Sequence, residues 1–366
     1  MLGIYVHIPF CIRKCNYCDF ASYPAMLSRQ DEYIDALIAE MKLHYGAHAD
    51  TVYIGGGTPS TLTGDNLTKL LAALNENFSL SSDTEFTVEV NPGTVDIDKA
   101  RILKKYGVNR ISIGSQTFCD SELEILGRIH TSRDTTNTYE LLRNCGFDNI
   151  SLDLMYALPS QTLDSLNDSI DMIFKLNPEH VSCYGLKVEP GTPFHDMLAN
   201  GKLKECDEDT FADMYEHICS RLKQNGYVHY EISNFAREGR QSRHNLKYWN
   251  CEDYIGLGLG AASCEDNHRY THTTDFDDYV HGCALAEDYH MTKSEAMSEF
   301  VILGLRVLNS GVDKQLFYER FGESIDEVFS HALLRVSPYV INTETSLKLK
   351  EEAALVSNSV MCEFMS

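Results

Sequence analysis

The chain has a single tryptophan and nine prolines in 366 residues, too few basic residues to balance its acidic ones, and no long apolar run. Each shortage excludes something. With 31 Lys and Arg against 54 Asp and Glu, the net charge is −23. Such a surface repels a phosphate backbone and forgoes the counterion release that drives most nucleic-acid binding, so no nucleic-acid partner is expected. The longest apolar stretches, residues 254–262 and 300–305, fall well short of the roughly 20 residues that a bilayer-spanning helix needs, and no membrane-spanning segment is expected. The opening Met-Leu-Gly-Ile-Tyr-Val-His lacks the basic and apolar regions of a secretion signal, which predicts a cytoplasmic protein. Internal repeats beyond a strand–helix alternation and low-complexity segments are also missing.

A hydrophobic content of 43% with 10% aromatics supplies ample core and gives no compositional case for disorder. The twelve cysteines, in a reducing compartment, argue for metal ligands and buried thiols rather than a disulfide framework. Nine of them show no ligand spacing and are expected as small core residues.

Up to about residue 232 short β-branched runs alternate with longer amphipathic ones. Residues 4–8, 51–54, 85–90, 110–114, 150–155 and 180–186 read as strands. Residues 31–44, 65–78, 96–106, 135–145, 163–176 and 209–225 read as helices, many opened by an Asp or Thr cap. Six strand–helix units predict an α/β fold, a parallel (β/α)6 barrel closed or partly closed. Chemistry in such barrels sits at the C-terminal strand ends, which here carry Pro9-Phe10-Cys11, Gly55-Gly56-Gly57-Thr58-Pro59, Asn91-Pro92-Gly93 and Ser115-Gln116-Thr117. Gly and Pro are also ordinary punctuation after strands. The pattern sets boundaries at 1–235 for the barrel, 236–292 for a loop-rich connecting subdomain, and 293–366 for a small, mainly helical, winged-helix-like C-terminal domain with a short strand over 347–350.

Cys11-Ile12-Arg13-Lys14-Cys15-Asn16-Tyr17-Cys18 is a C-x3-C-x2-C loop following a predicted strand. Thiolates are soft donors suited to Fe–S clusters or zinc, and three of them leave one iron of a cubane open. A zinc site completed by a distant Cys or His, or three unrelated thiols, are the alternatives. Structural zinc usually pairs two C-x2-C knuckles, and no second knuckle exists here. A c-type haem attachment is excluded, because Asp19 and not His follows Cys18.

With Tyr17 before the third cysteine, this loop resembles that of the radical S-adenosylmethionine (SAM) superfamily. The resemblance implies a [4Fe–4S] cluster on Cys11, Cys15 and Cys18, SAM bound at the open iron, and reductive cleavage of SAM to a 5′-deoxyadenosyl radical. The chain further resembles the oxygen-independent coproporphyrinogen III oxidase group. The strings that carry this are Tyr5-Val6-His7-Ile8-Pro9-Phe10-Cys11, Ile54-Gly55-Gly56-Gly57-Thr58-Pro59-Ser60, Glu89-Val90-Asn91-Pro92-Gly93, Gly114-Ser115-Gln116-Thr117, Leu126-Gly127-Arg128-Ile129-His130 and Leu152-Asp153-Leu154-Met155-Tyr156-Ala157-Leu158-Pro159. It implies that Tyr5, Tyr17, Gly56, Gly57, Thr58, Glu89, Gln116, Arg128, Asp153 and Lys187 sit in the SAM neighbourhood. Arg128 has the planar fork to clamp a carboxylate. Glu89, Gln116 and Asp153 can bond an amino group or ribose hydroxyls.

Two features separate the chain from those oxidases. Phe20 stands where they carry a further cysteine, and a phenyl ring replaces a thiol in no chemical role. His244-Asn245-Leu246-Lys247-Tyr248-Trp249 is an H-N-x-x-Y-W string similar to the signature of the HemW-type heme chaperones. An imidazole can ligate iron, and Tyr and Trp rings offer flat apolar surface to a porphyrin, so His244, Asn245, Tyr248 and Trp249 are heme-site candidates. His244 equally suits a satisfied structural histidine, and Cys251, His268 and His272 compete as ligands. The resemblance implies heme as cargo and heme-accepting proteins as partners, membrane-bound respiratory enzymes among them, with peripheral membrane contact during transfer. The alternatives are oxidative decarboxylation of coproporphyrinogen III, a radical SAM methyltransferase or RNA modifier, and a non-catalytic iron–sulfur carrier.

Overall fold

A computed structural model of the chain describes residues 2–282 and 284–365; Cys283, one of the nine scattered cysteines, lies outside the described residues. Strands β1 (Leu2–Ile8), β2 (His48–Gly56), β3 (Ser79–Val90), β4 (Arg110–Gln116), β5 (Ile150–Tyr156) and β6 (His180–Gly185) lie side by side in chain order, all parallel. Helices Gln30–Met41, Gly64–Asn77, Ile97–Lys105, Ser132–Asn144 and Leu163–Leu176 make the crossovers, and Glu208–Gln224 follows β6. Thr63, Asp96, Thr131, Thr162 and Asp207 each accept a hydrogen bond from a first-turn backbone N–H, worth about 1 kcal/mol apiece; Thr63, Thr131 and Asp207 lie ahead of the expected starts at 65, 135 and 209, and helix Gln30–Met41 has no side-chain cap.

The sheet runs on past these six strands. Beyond β6 lie β8 and β7, the antiparallel pair formed by β7 (Val228–Glu231) and β8 (Asn234–Ala236). On the other side β9 (Tyr254–Leu257) runs parallel to β1, followed by antiparallel β10 (Ala262–Glu265), β11 (His268–His272) and β12 (Leu285–His290). The order β12-β11-β10-β9-β1-β2-β3-β4-β5-β6-β8-β7 has two free ends, so the barrel is partial. Residues 236–292, expected as a loop-rich connection, thus contribute four strands to the barrel sheet.

The alternation along these strands places the polar side inward. In β4, Ile111 and Ile113 pack outward in the main apolar core, while Arg110, Ser112, Gly114 and Gln116 line an interior cavity. In β2, Val52 and Ile54 pack outward and Tyr53 faces in; in β3, Phe86, Val88 and Val90 belong to the core and Glu89 lines the cavity; in β5, Leu152 and Leu154 oppose Asp153 and Met155. A period of two with apolar residues against the helices and polar residues on the axis leaves the interior for a ligand.

The lower end of the barrel, at the strand N-termini, is stopped by the short helix Arg243–Trp249. Its first N–H groups are capped by a side chain of β3: Glu85 Oε2 accepts from Arg243 N at 3.1 Å and Oε1 from His244 N at 3.0 Å. A carboxylate at a helix N-terminus is favourable for both bonding and dipole. Lys247 is buried and pairs with Asp50 at 2.9 Å and Glu252 at 2.8 Å.

The C-terminal region has its own core of Phe300, Phe317, Phe321, Val336, Leu347 and Phe364. Around it stand helices Lys293–Gly304, Lys314–Phe321 and Ser330–Val336, and a small sheet of β13 (Val312–Asp313), β14 (Val340–Asn342) and β15 (Ser346–Leu349) in the order β13-β15-β14. One strand is legible from sequence and three are present. The described scattered cysteines are unpaired. Contrary to the expectation of core positions, Cys183 alone of the eight described is buried; Cys119, Cys145, Cys206, Cys219, Cys251 and Cys264 are partly buried and Cys362 is exposed. It closes the short C-terminal helix Ser357–Cys362, whose buried positions are Ser357, Val360 and Met361.

Candidate functional site

The cysteine loop leaves β1 and is tied on two sides. Gly57 N donates to Ile8 O at 2.8 Å and Thr58 N to Phe10 O at 2.7 Å, so the end of β2 holds the loop's start. Asn16 N donates to Leu126 O and Asn16 Nδ2 to Ile125 O, each at 2.9 Å, anchoring its middle to the end of helix Asp120–Ile125. Cys11, Cys15 and Cys18 then line one cavity of about 480 Å³ at the C-terminal strand ends. Among the described residues no three His, Cys, Asp or Glu side chains converge tightly enough for a single metal ion.

The glycine triplet is required by close approach. A Cβ on Gly57 would lie 2.7 Å from Phe10 O and 3.1 Å from Cys11 Sγ. Gly56 has φ +103, and a Cβ there would lie 2.5 Å from the His7 ring. Tyr5 contacts that ring. It does not line the cavity, but its hydroxyl meets His7 Nδ1 at 3.1 Å while His7 Nε2 reaches Ala21 O at 2.7 Å.

Gly56, Gly57, Thr58, Glu89, Gln116, Arg128, Asp153, Tyr17 and Lys187 all line the cavity. Thr58 Oγ1 lies 3.4 Å from Cys11 Sγ and accepts from Asn91 Nδ2 at 2.8 Å. Arg128 Nη2 donates to Asn91 Oδ1 at 2.7 Å and Gly114 O at 2.8 Å, and its Nη1 reaches Cys15 Sγ at 3.5 Å. Glu89 accepts from Tyr53 OH at 2.7 Å and Gly56 N at 3.2 Å, and Asp153 accepts from Ser112 Oγ at 3.1 Å. Gln116 sits at φ +64, a left-handed conformation that non-glycine residues rarely adopt outside functional sites and turns. Lys187 is at the mouth, 80% exposed and paired with Glu189 at 2.6 Å.

Burial governs the protonation of these groups. It pushes the Glu89 carboxyl up to about 7 and raises that of Asp153, and it raises the Cys11 and Cys18 thiols and the Tyr17 phenol. Bound iron would override this at the thiols, since a coordinating thiol is deprotonated outright. An ammonium ligand would likewise draw Glu89 and Asp153 into their charged forms.

The H-N-x-x-Y-W string is split between two places. His244 is 1% exposed; Nδ1 bonds Thr51 Oγ1 at 2.8 Å, Nε2 bonds Tyr248 OH at 2.8 Å, and the ring stacks on Tyr53. Burial, with the Lys247 and Arg110 charges, lowers its pKa to about 3. Both ring nitrogens are therefore engaged on a neutral imidazole. Asn245 reaches the cysteine-bearing cavity. Tyr248 and Trp249 line a second cavity of about 240 Å³ beside the C-terminal region, together with Cys251, Tyr254, Cys264 and Met291. Of the competing ligands, His272 is buried against Glu40 at 2.8 Å and His268 is paired with Asp288 at 2.6 Å.

The sequence reading missed Tyr53, Arg110, Ser112, Ser182 and Tyr184 as cavity residues. Those on β4 were findable: counting back by twos from Gln116 gives Gly114, Ser112 and Arg110.

The chain matches the model of the Radical SAM superfamily over residues 5–173 and that of the HemN C-terminal domain over residues 291–356. Fold, loop and matches together define a radical SAM protein. It is 39% identical to heme chaperone HemW of Bacillus subtilis, across 100% of this chain and 99% of that one. It is 36% identical to heme chaperone HemW of Lactococcus lactis, across 99% and 96%. The chain belongs to the HemW family. Its fold matches the solved coproporphyrinogen III oxidase HemN of Escherichia coli with TM-score 0.87 and 23% identity, covering 100% of this chain and 90% of that one.

Proposed function

We propose that the chain is a heme chaperone whose barrel holds a [4Fe–4S] cluster on Cys11, Cys15 and Cys18, with SAM at the iron they leave open, and which passes heme to acceptor proteins. The observation that carries this is full-length similarity to proteins named heme chaperones. Phe20 supports it against porphyrinogen oxidation: the ring stands 61% exposed at the cavity mouth, where the oxidases present a thiol, and offers no redox or proton chemistry. When bound, cluster and SAM supply one-electron chemistry. The chain's own residues orient. Arg128 keeps part of its fork for a carboxylate, Glu89 and Asp153 await an amino group or ribose hydroxyls, and the Gly56–Gly57 backbone allows close approach.

For heme, Tyr248 and Trp249 provide the flat surface and the second cavity provides sulfur donors in Cys251 and Met291. His244 is a positioning residue that carries Tyr248, and Asn245 belongs to the SAM side. Residues 1–235 carry cluster and SAM, 236–292 the motif, and 293–366 the C-terminal unit. Delivery proceeds from the cytoplasm to membrane-bound respiratory enzymes by peripheral contact; no described helix is long and apolar enough to cross a membrane.

The test is an anaerobic hemin titration of the cluster-loaded chain, read by the Soret band, beside an assay for coproporphyrinogen III turnover. Stoichiometric heme capture without turnover is expected. Trp249→Ala should weaken hemin binding at least tenfold. Rapid production of the vinyl porphyrin would overturn the proposal.

A further inference from the structure

Arg110 opens β4 and faces into the cavity from its inner end, the end stopped by helix Arg243–Trp249. It is 2% exposed, and its Nε is fully enclosed without an acceptor. Among the described residues it makes no hydrogen bond or ion pair. A buried guanidinium left this way is costly, and buried charges are ordinarily paired.

The protein supplies no close counter-ion. Glu89 and Asp153 share the cavity and feel the Arg110 charge, but their hydrogen bonds go to neutral donors: Tyr53 OH and Gly56 N for Glu89, Ser112 Oγ for Asp153. Burial also drives both carboxyls toward their neutral forms. Of the other polar residues lining the cavity, Tyr53 and Ser112 already donate to Glu89 and Asp153, which leaves the Tyr184 hydroxyl and the Asn245 amide as neutral donors in a cavity with one unmatched cation.

We propose that the inner end of the cavity is an oxyanion subsite in which Arg110 receives the carboxylate of a small-molecule ligand that enters past the cysteines. A planar fork facing a carboxylate is the geometry for which guanidinium is best suited. The carboxylate comes from a free small acid, from SAM, or from a porphyrin propionate, and the proposal stands whether or not the chain carries heme.

The test uses the full chain with its cluster rebuilt anaerobically, titrated with sodium propionate at constant ionic strength against sodium chloride. The thermal midpoint and the Arg110 Nε–H resonance are followed together. Propionate should raise the midpoint saturably and move the resonance with the same half-saturation; Arg110→Met should weaken binding at least tenfold and Arg110→Lys less. An equal response to chloride, unchanged propionate binding in Arg110→Met, or a resonance that stays put at high propionate would each overturn the proposal. The last reading needs only the wild-type chain, so it decides even if Arg110→Met fails to fold. Competition then assigns the source. Displacement by hemin but not by mesoporphyrin dimethyl ester means a porphyrin propionate, displacement by SAM means its methionine carboxylate, and displacement by neither means a free acid.

Discussion

The substitution His244→Phe tests the plug at the base of the barrel, because a phenyl ring can still stack on Tyr53 but can bond neither Thr51 nor Tyr248. Near pH 7.5 two hydroxyls lose a partner, each at about 1–3 kcal/mol, so the variant should be less stable by about 2–6 kcal/mol. The pH dependence is more diagnostic. The folded imidazole titrates at about 3 and the unfolded one at about 6.5. The folded form therefore refuses a proton that the unfolded form takes. Stability is unaffected above pH 6.5 and falls as the pH drops through the window from 6.5 to 3. At pH 5 this costs the wild type about 2 kcal/mol, from about 1.36 kcal/mol per unit over 1.5 units. A phenyl ring takes no proton in either state, so the deficit of the His244→Phe variant should shrink by about 2 kcal/mol between pH 7.5 and 5. The lowered His7, His130 and His180 and the raised Glu89 are common to both chains and cancel in the difference. Anaerobic urea unfolding of both chains at the two pH values measures it. A deficit that is the same at both, or larger at pH 5, would refute a buried neutral His244.

Cys15→Ser should abolish cluster retention; unchanged iron per chain would remove Cys15 from the ligand set. Gly57→Ala drives a Cβ against Phe10 O and Cys11 Sγ, so reconstituted iron should fall while circular dichroism of the fold is kept, and full iron loading would show that the loop tolerates the methyl group. Glu89, titrating at about 7, is protonated below that pH and charged above it. If its carboxylate meets the amino group of SAM, affinity by anaerobic calorimetry should rise about tenfold from pH 6 to 8. The dependence should vanish in Glu89→Gln, and a flat wild-type profile would exclude that contact.

The six parallel strands and their helices were legible because the period-of-two and period-of-3.6 patterns are strong. The edge strands β9–β12 were not. They are four to six residues long, β12 is exposed throughout, and β11 is partly buried over most of its length. Their pairing is therefore set by neighbouring backbone rather than by a pattern of their own. At the site, the cysteines and the glycine triplet announced themselves by spacing. Arg110 was legible only by counting back in twos from Gln116, because a strand beginning Arg-Ile-Ser-Ile otherwise reads as a polar surface face. Tyr5, expected with the cavity residues, lies one layer back, behind His7 and Gly56.

The H-N-x-x-Y-W string shows why a motif need not be one surface. On a helix each residue is turned by about 100° from the last, so His244 and Tyr248, four apart, share a face and bond each other at 2.8 Å. Asn245 and Trp249, also four apart, share the adjacent face, about 100° round. The helix is pinned at its start by Glu85 and along its length by Asp50 through Lys247, so its rotation is not free. Asn245 is thereby committed to the cysteine-bearing cavity, and Tyr248 and Trp249 to the second, where Arg306 lies 4.3 Å over the indole. The four residues span only about 140° of the helix surface, so what divides them is position along the axis: Asn245, in the first turn, meets the cysteine-bearing cavity, and Tyr248 and Trp249, in the last, meet the second.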